Sequence, residues 1–144
     1  MEPVTIVRKA DPRTGKIYKS IYVITLRFSC LNEYHTLFYK ENKKIIPLNI
    51  QDLLTLRGLA QLIMGDGFFY KGIIMLCTES FSKQEKELLN ALHKNFGIQA
   101  SLNKRISSTG IKNYRIRISK RSMDKLIVLV KPYFIPEMLY KLDV

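Results

Sequence analysis

One acidic residue ends an apolar segment and lies between two glycines. Asp66 follows the apolar stretch 59–64, with Gly65 before it and Gly67 after it. A carboxylate at the C-terminal end of a helix meets the negative end of the helix dipole, which disfavours it by up to about 1 kcal/mol. A cation such as Mg²⁺, held by the carboxylate and by free carbonyls such as that of Gly65, would remove this penalty. The residues alone also allow an ordinary turn role, because Asp-Gly pairs are common in turns.

A second constellation lies on a predicted strand at residues 113–119, where polar and apolar side chains alternate. Because strand side chains point to opposite faces in turn, one face is apolar and the other carries Asn113, Arg115, Arg117 and Ser119. These side chains, spaced about 7 Å apart, suit phosphates and base edges in the major groove. The preceding strand adds Lys104 and Arg105, of which only one, Arg105 by parity, can share this face. We predict a nucleic-acid-binding face; the alternative is the solvated outer face of a half-buried sheet.

The net charge favours a polyanionic partner. The 144 residues include 24 Lys and Arg against 12 Asp and Glu, a formal net charge of +12. Such an excess costs self-repulsion, which DNA, RNA or an anionic membrane surface would offset. Residues 1–50 hold 9 basic against 4 acidic residues, and residues 101–144 hold 10 against 3. We therefore predict two basic surfaces that flank a neutral structural segment.

The elements that must position these residues begin with a hairpin. Residues 4–9 and 18–28 have strand composition around a turn that contains Pro and Gly. In the second strand, every second residue is mostly apolar, and this apolar parity is predicted to face a core. The residues between them, the basic parity, are mixed and basic. Lys19 and Arg27 on the basic parity are further candidate nucleic-acid contacts. A short helical stretch, a basic turn and one more helical turn lead to residue 54.

From Thr55 onward the order is helix, two strands, helix, two strands, helix. Thr55 and Ser122 are predicted N-caps, residues 82–85 form a capping box, and Gly65 and Gly67 are predicted to stop the first helix. Lys71, at the bend of the hairpin predicted at 68–78, is another candidate nucleic-acid contact. The predicted elements are helices at 56–64, 82–96 and 122–131, strands at 68–78, 98–106 and 113–119, and a helical tail at 136–142. This order predicts an α+β fold with an antiparallel sheet.

The cysteines, the histidines and the hydropathy argue against a disulfide, a histidine metal site and a membrane span. Cys30 and Cys77 lack a CxxC pattern and are predicted to be buried free thiols rather than a disulfide. His35 and His93 stand alone and are predicted to be structural residues, not metal ligands. No apolar run is long enough to span a bilayer and no secretory signal is present, so a soluble intracellular protein is expected.

Several segments together resemble one protein family. Residues 59–67 resemble the LAGLIDADG signature of homing endonucleases, with Asp66 at the position of the family's catalytic acid. The other segments similar to intron-encoded, two-repeat organellar members are 14–20, 31–34, 43–47, 78–82, 114–116 and 131–142. The resemblance covers nearly all of the chain. It implies a homing-endonuclease-like α+β fold, an antiparallel sheet saddle backed by helices, with one complete repeat plus part of a second.

The resemblance also assigns roles to individual residues. It implies that two LAGLIDADG helices pack through small residues and that the acid ending each helix, here Asp66, binds Mg²⁺ at a scissile phosphate. Lys44 and Lys141 take the positions of the lysines that assist catalysis. Phosphodiester hydrolysis needs a metal to polarise the phosphoryl group and activate water, and a cation to offset developing charge. Without the resemblance, either lysine would be read as a solvated basic residue.

Two departures from the family pattern bear on activity. Met64 replaces the signature's other acid, and the first repeat's own LAGLIDADG helix has no counterpart. Residues 1–50 are therefore expected to be the trailing hairpin and linker of an incomplete first repeat, and 51–144 a complete repeat. A DNA endonuclease would then need a homodimer partner or a complementary LAGLIDADG fragment.

The alternative to an endonuclease is a cleavage-inactive protein that binds structured RNA. It would be an intron maturase or a component of an organellar ribosome or other ribonucleoprotein, with no membrane partner. A decaying remnant is disfavoured because the caps and amphipathic patterns are intact. The family setting and the richness in Lys, Ile and Asn, as AT-rich codons give, favour the mitochondrial matrix over the chloroplast stroma.

Overall fold

The chain divides into a small hairpin unit and a larger unit that contains the main sheet. The computed structural model describes residues 2–24, 26, 28–78, 85–106, 110 and 112–144. The two compact units are Met1–His35 and Thr36–Val144. The elements of the first unit are β1 (Val4–Val7), β2 (Lys19–Tyr22), a 3-10 turn (Ser29–Leu31) and the start of α1 (Asn32–Phe38). Strands β1 and β2 pair antiparallel.

The apolar parity of this hairpin is exposed rather than buried. Tyr22, Ile24 and Leu26 are 40%, 66% and 65% exposed, and none of the described residues up to His35 is buried. The prediction that this parity packs on a core is therefore wrong for the unit by itself. The physical reason is that a two-stranded hairpin has no second layer against which to bury a face.

The second unit alternates helices with the strands of one sheet. Its elements are β3 (Tyr39–Lys40), β4 (Lys43–Lys44), α2 (Ile50–Leu53), α3 (Leu56–Asp66), β5 (Gly67–Tyr70), β6 (Ile73–Leu76), α4 (Glu85–Phe96), β7 (Ala100–Ile106), β8 (Lys112–Ile118), α5 (Met123–Val130) and a 3-10 helix (Pro136–Leu142). Short 3-10 turns precede and follow α5. Strands β5 to β8 form an antiparallel sheet in the order β5-β6-β8-β7. The predicted order of elements and the α+β class are confirmed.

Helix α3 begins where the sequence predicts but ends later. The Thr55 hydroxyl accepts the Gly58 N–H at 3.1 Å, which confirms the predicted N-cap. The predicted end at Met64 is two residues early, because the helix continues through Gly65 to Asp66, and Gly67, the second predicted stop residue, is its C-cap. Glycine costs a helix about 1 kcal/mol relative to alanine. It therefore weakens a helix without fixing where it ends.

Helices cover one face of the four-stranded sheet. Ile116 and Ile118 of β8 point into this core and are 0% and 1% exposed. The same cluster contains Leu59 of α3, Leu92 of α4 and Leu126 of α5. Because side chains alternate along β8, the residues between these isoleucines face the other way.

Two helix boundaries differ in their chemistry. Gly97 ends α4 with φ +62°, and its N–H donates to the His93 carbonyl at 2.8 Å, as the predicted stop requires. Ser122 precedes α5 without capping it, so that prediction is wrong. Its hydroxyl accepts the Gln99 N–H at 3.0 Å instead, which joins the start of α5 to the segment before β7. The capping-box residues 82–84 lie outside the described residues.

Both cysteines are thiols rather than a disulfide, as predicted, but Cys30 is exposed and Cys77 is half-buried, so the predicted burial is wrong. His35 and His93 are exposed. Within the described ranges, no three His, Cys, Asp or Glu side chains are grouped closely enough to hold a metal ion. In the same ranges, no helix combines the length and the apolarity needed to cross a membrane.

Candidate nucleic-acid interface

Strand register gathers the predicted polar residues on one face of the sheet. Asn103 of β7 lies opposite Arg115 of β8, and Arg105 lies opposite Asn113. One row of paired residues crosses all four strands and consists of Ser101, Arg117, Met75 and Phe68. The alternation predicted from the sequence is therefore confirmed as geometry: Arg105, Asn113, Arg115 and Arg117 share the side away from the core.

This side of the sheet is concave, with an apolar floor and a cationic rim. The concavity has a volume of about 560 Å³. Its floor is formed by Phe68, Tyr70, Ile73 and Met75, and its rim by Lys71, Asn103, Lys104, Arg105, Arg115 and Arg117. We call this surface the cationic face. Two residues of the floor are buried, since Ile73 and Met75 are only 6% and 7% exposed.

Two cations of the rim lie over aromatic rings of the floor. The Arg115 Cζ is 5.4 Å from the centroid of the Phe68 ring, and the Lys71 Nζ is 5.3 Å from that of Tyr70. Such contacts are within the range of cation–π attraction. Sequence reasoning missed both rings as site residues. The available signal was their alternation on β5, which places residues 68 and 70 on one face.

The β5–β6 turn brings two lysines to one end of the cationic face. Lys71 and Gly72 form the turn with φ of 50° and 79°. The Cε of Lys120 lies 3.9 Å from the position that a Cβ on Gly72 would occupy. Lys120 was not predicted as a site residue. It lies in the 3-10 turn after β8, so the alternation of polar and apolar residues along that strand does not include it. Ser119, just past β8, is half-buried and donates its N–H to the Gln99 carbonyl at 2.8 Å.

The other candidate contacts lie at the edge of this surface, on other elements or outside the described residues. Lys104 pairs with Tyr114 and so has the opposite parity, although it lines the edge of the concavity. Lys19 is exposed on β2 in the first unit, and Arg27 lies outside the described residues. Lys44 is half-buried on β4, opposite Tyr39. The roles assigned to these residues stay predictions.

Lys141 contacts the C-terminal end of α3, the helix that carries Asp66. From the terminal 3-10 helix its ammonium donates to the Met64 carbonyl at 2.5 Å. The Cys77 N–H donates to the Asp66 carbonyl at 2.8 Å. The Gly67 N–H donates to the carbonyl of Ile63. Of the last four carbonyls of α3, that of Gly65 is the one for which no donor is found among the described residues.

The end of α3 therefore offers two oxygen ligands. The Asp66 carboxylate is half-buried, Gly65 is exposed, and no described cation forms a salt bridge with Asp66. Carboxylate and carbonyl oxygens are ligands of Mg²⁺, which proteins commonly bind through one or two carboxylates together with substrate phosphates. The donor set fits part of a Mg²⁺ coordination sphere. The remaining ligands would come from a phosphate or from a second acidic residue.

A basic, concave antiparallel sheet with a carboxylate at the end of a half-buried helix is typical of one class of protein, the α+β proteins that bind nucleic acid and act on phosphodiesters. Similarity to a known family identifies the chain more closely within this class. The model of the LAGLIDADG DNA endonuclease family matches residues 2–126, so the chain belongs to that family. The resemblance of residues 59–67 to the family signature is confirmed.

Individual relatives agree with this assignment. The cytochrome b mRNA maturase bI2 of Debaryomyces hansenii is 33% identical over 129 residues, which cover 89% of this chain and 48% of the maturase. The intron-encoded endonuclease ai4 of Dictyostelium discoideum is 33% identical over 131 residues, which cover 90% of this chain and 80% of that protein. The chain thus spans about half the length of the maturase.

A solved structure matches almost the whole fold. It is the homing endonuclease I-WcaI bound to its DNA recognition sequence, with a TM-score of 0.83 and 27% identity. The match covers 99% of this chain and 64% of that chain. The predicted homing-endonuclease-like fold is therefore confirmed.

Proposed function

We propose that the cationic face binds nucleic acid and that the end of α3 supplies half of a Mg²⁺-dependent phosphodiester-cleaving site. The observation that carries the proposal is the register of β7 and β8, which collects Arg105, Arg115 and Arg117 on one concave side. Cationic and amide side chains of this kind hydrogen-bond phosphates and base edges. DNA is the first proposed ligand, because the matching homing endonuclease is bound to DNA.

The residues near α3 have separate proposed roles in cleavage. Asp66 and the Gly65 carbonyl would hold Mg²⁺, which when bound polarises a phosphoryl group and activates water. Lys141 holds the Met64 carbonyl and so fixes the last turn of the helix that carries Asp66. Its ammonium also places positive charge where negative charge develops on phosphate oxygens. Lys44 is proposed as a second such cation.

The cleavage site is proposed to require a second LAGLIDADG helix, from another copy of the chain or a complementary fragment. One side of α3 is open to such a helix, because a Cβ built on Gly65 meets no atom within 4 Å. Arg57 and Gln61 on the same helix are exposed. The exposed apolar side chains of the first unit give a further surface for the partner to cover, among them Ile24 at 66% and Leu26 at 65%.

The second candidate function is RNA binding without cleavage. Two relatives are named as cytochrome b mRNA maturases, from Debaryomyces hansenii and Saccharomyces cerevisiae. In this case the cationic face binds structured RNA, and the partners are ribonucleoprotein components. Both candidates place the protein in an organelle, with the mitochondrial matrix proposed over the chloroplast stroma.

Single substitutions on the cationic face test the proposal. Arg117→Ala is expected to weaken binding to a duplex selected from a random pool by about 1–3 kcal/mol and to relax discrimination at one base pair. Lys71→Ala is expected to weaken binding to all sequences alike and to lower the salt slope of the affinity by about 1. Fluorescence anisotropy titrations at several salt concentrations, with DNA and with structured RNA, measure both effects.

Lys86→Ala is the matched control, since Lys86 is exposed on α4 in the helical layer. It removes the same charge from the molecule without touching the cationic face. An equal loss of affinity in Lys86→Ala and Arg117→Ala, with no change in base-pair discrimination, would refute the proposal.

A further inference from the structure

The aromatic residues of β5 and the cations above them form two unlike pairs. Phe68 lies under Arg115 at 5.4 Å, and Tyr70 lies under Lys71 at 5.3 Å. Lys71 follows Tyr70 directly in the chain, so their contact is local. Arg115 lies on β8, which is separated from β5 by β6, so its guanidinium reaches a ring two strands away.

The reach of Arg115 determines where its charge lies. Neighbouring strands are about 4.8 Å apart, so β5 and β8 are separated by roughly 10 Å, and the Arg115 side chain extends over β6 towards the Phe68 ring. It therefore lies over the floor of the cationic face, to which Phe68 belongs. A flexible arginine on an open sheet would point into solvent and sample many rotamers. The Phe68 ring supplies an attractive end point for this one.

We propose that Phe68 is a specificity-determining residue that positions the Arg115 guanidinium to read a base edge. The inference rests on the proposed nucleic-acid binding by the cationic face. A guanidinium is planar and presents its N–H donors as a fixed fork, so its orientation selects the acceptors that it can meet, such as the O6 and N7 of guanine. The Lys71 ammonium is a compact charge with rotatable donors. The Tyr70 contact therefore fixes where the Lys71 charge lies, but it does not fix which acceptors of a base edge the ammonium can meet.

The test compares discrimination between a selected duplex and variants with one base pair changed. Arg115→Ala is expected to lose roughly 5- to 150-fold of discrimination at one position. Phe68→Leu is expected to lose about two- to fivefold at the same position, the range of an exposed cation–π contact. Its salt slope should be unchanged, because no charge is removed. Adding Phe68→Leu to Arg115→Ala is expected to cause no further loss, whereas Phe68→Tyr should keep discrimination.

Phe69→Leu is the matched control for lost packing. Phe69 is also half-buried against the core, but it pairs with Ile74 on the opposite parity, away from Arg115. It is expected to lower thermal stability about as much as Phe68→Leu while keeping discrimination intact. Phe68→Met, which fills a similar volume without a ring, replaces the leucine variant should that variant fail to fold.

Two results would overturn the inference. One is wild-type discrimination in Phe68→Leu together with a loss in Arg115→Ala, which leaves the proposed function standing. The other is an equal loss in Phe68→Leu whether or not Arg115 is present. If Arg115→Ala and Arg117→Ala both bind like wild type, the proposed function itself fails and the inference fails with it.

Discussion

Asp66→Asn is expected to abolish Mg²⁺-dependent cleavage, by about 10²-fold or more, while nucleic-acid binding stays within about twofold of wild type. The asparagine keeps the shape of the side chain but removes the charge that holds a divalent cation. Metal stabilisation of a phosphoryl-transfer transition state is worth several kcal/mol, so the loss should be large. Without metal, the variant should bind slightly more tightly than wild type, because an uncompensated carboxylate repels phosphates.

Cleavage is measured on a plasmid that carries the selected site, at rising Mg²⁺, with the partner that completes the site. A second readout does not depend on cleavage: Ca²⁺ is expected to strengthen binding of the wild-type chain but not of Asp66→Asn. Asp52→Asn, at an exposed position on α2, removes the same charge elsewhere and should behave like wild type. Nicking at the wild-type rate in Asp66→Asn, or an unchanged Ca²⁺ effect, would contradict the assigned role.

Gly67→Ala is expected to have the largest effect on folding. Gly67 has φ −90° and ψ 150°, which any residue adopts, so backbone strain does not explain the glycine. The constraint is space: an added Cβ would lie 2.5 Å from the Ile63 carbonyl oxygen and 2.9 Å from its Cα. Because these are backbone atoms, either β5 or the end of α3 must shift. We expect a loss of about 1–3 kcal/mol or more in the free energy of unfolding.

Gly65→Ala is the matched control two residues earlier. A Cβ there meets nothing within 4 Å, and alanine favours the helix by up to about 1 kcal/mol. Denaturant unfolding of the isolated chain should therefore find Gly65→Ala as stable as wild type or more so. Equal stability of the Gly65→Ala and Gly67→Ala variants would contradict the tight junction between α3 and β5.

The parts of this fold that local patterns control could be predicted from the sequence. Thr55 caps α3 as its residue type indicates, and the alternation in β8 separates Arg115 and Arg117 from the buried Ile116. These features depend on residues close in the chain. The last residue of α3 could not be predicted in the same way, because a helix tolerates a glycine at a cost of about 1 kcal/mol, so that either Gly65 or Gly67 could end it.

The missed features depend on neighbours distant in the sequence. Ser122 resembles an N-cap, but its hydroxyl bonds to Gln99, a residue that the fold brings near. The Phe68 ring belongs to the cationic face only because β8 lies two strands from β5. The apolar parity of the first hairpin resembles a core face, yet Ile24 is 66% exposed. A sequence pattern shows that a side chain is apolar, but not which surface covers it.

Photocrosslinking of the unmodified chain to bound nucleic acid tests the central claim most directly. DNA or RNA carrying 5-iodouracil is irradiated in the complex, and the adducts are mapped by mass spectrometry. If the cationic face is the binding surface, adducts should fall on β5, at Phe68 and Tyr70, and on the neighbouring strands β7 and β8. Adducts confined to the outer helices α4 and α5, with none on these strands, would contradict the account.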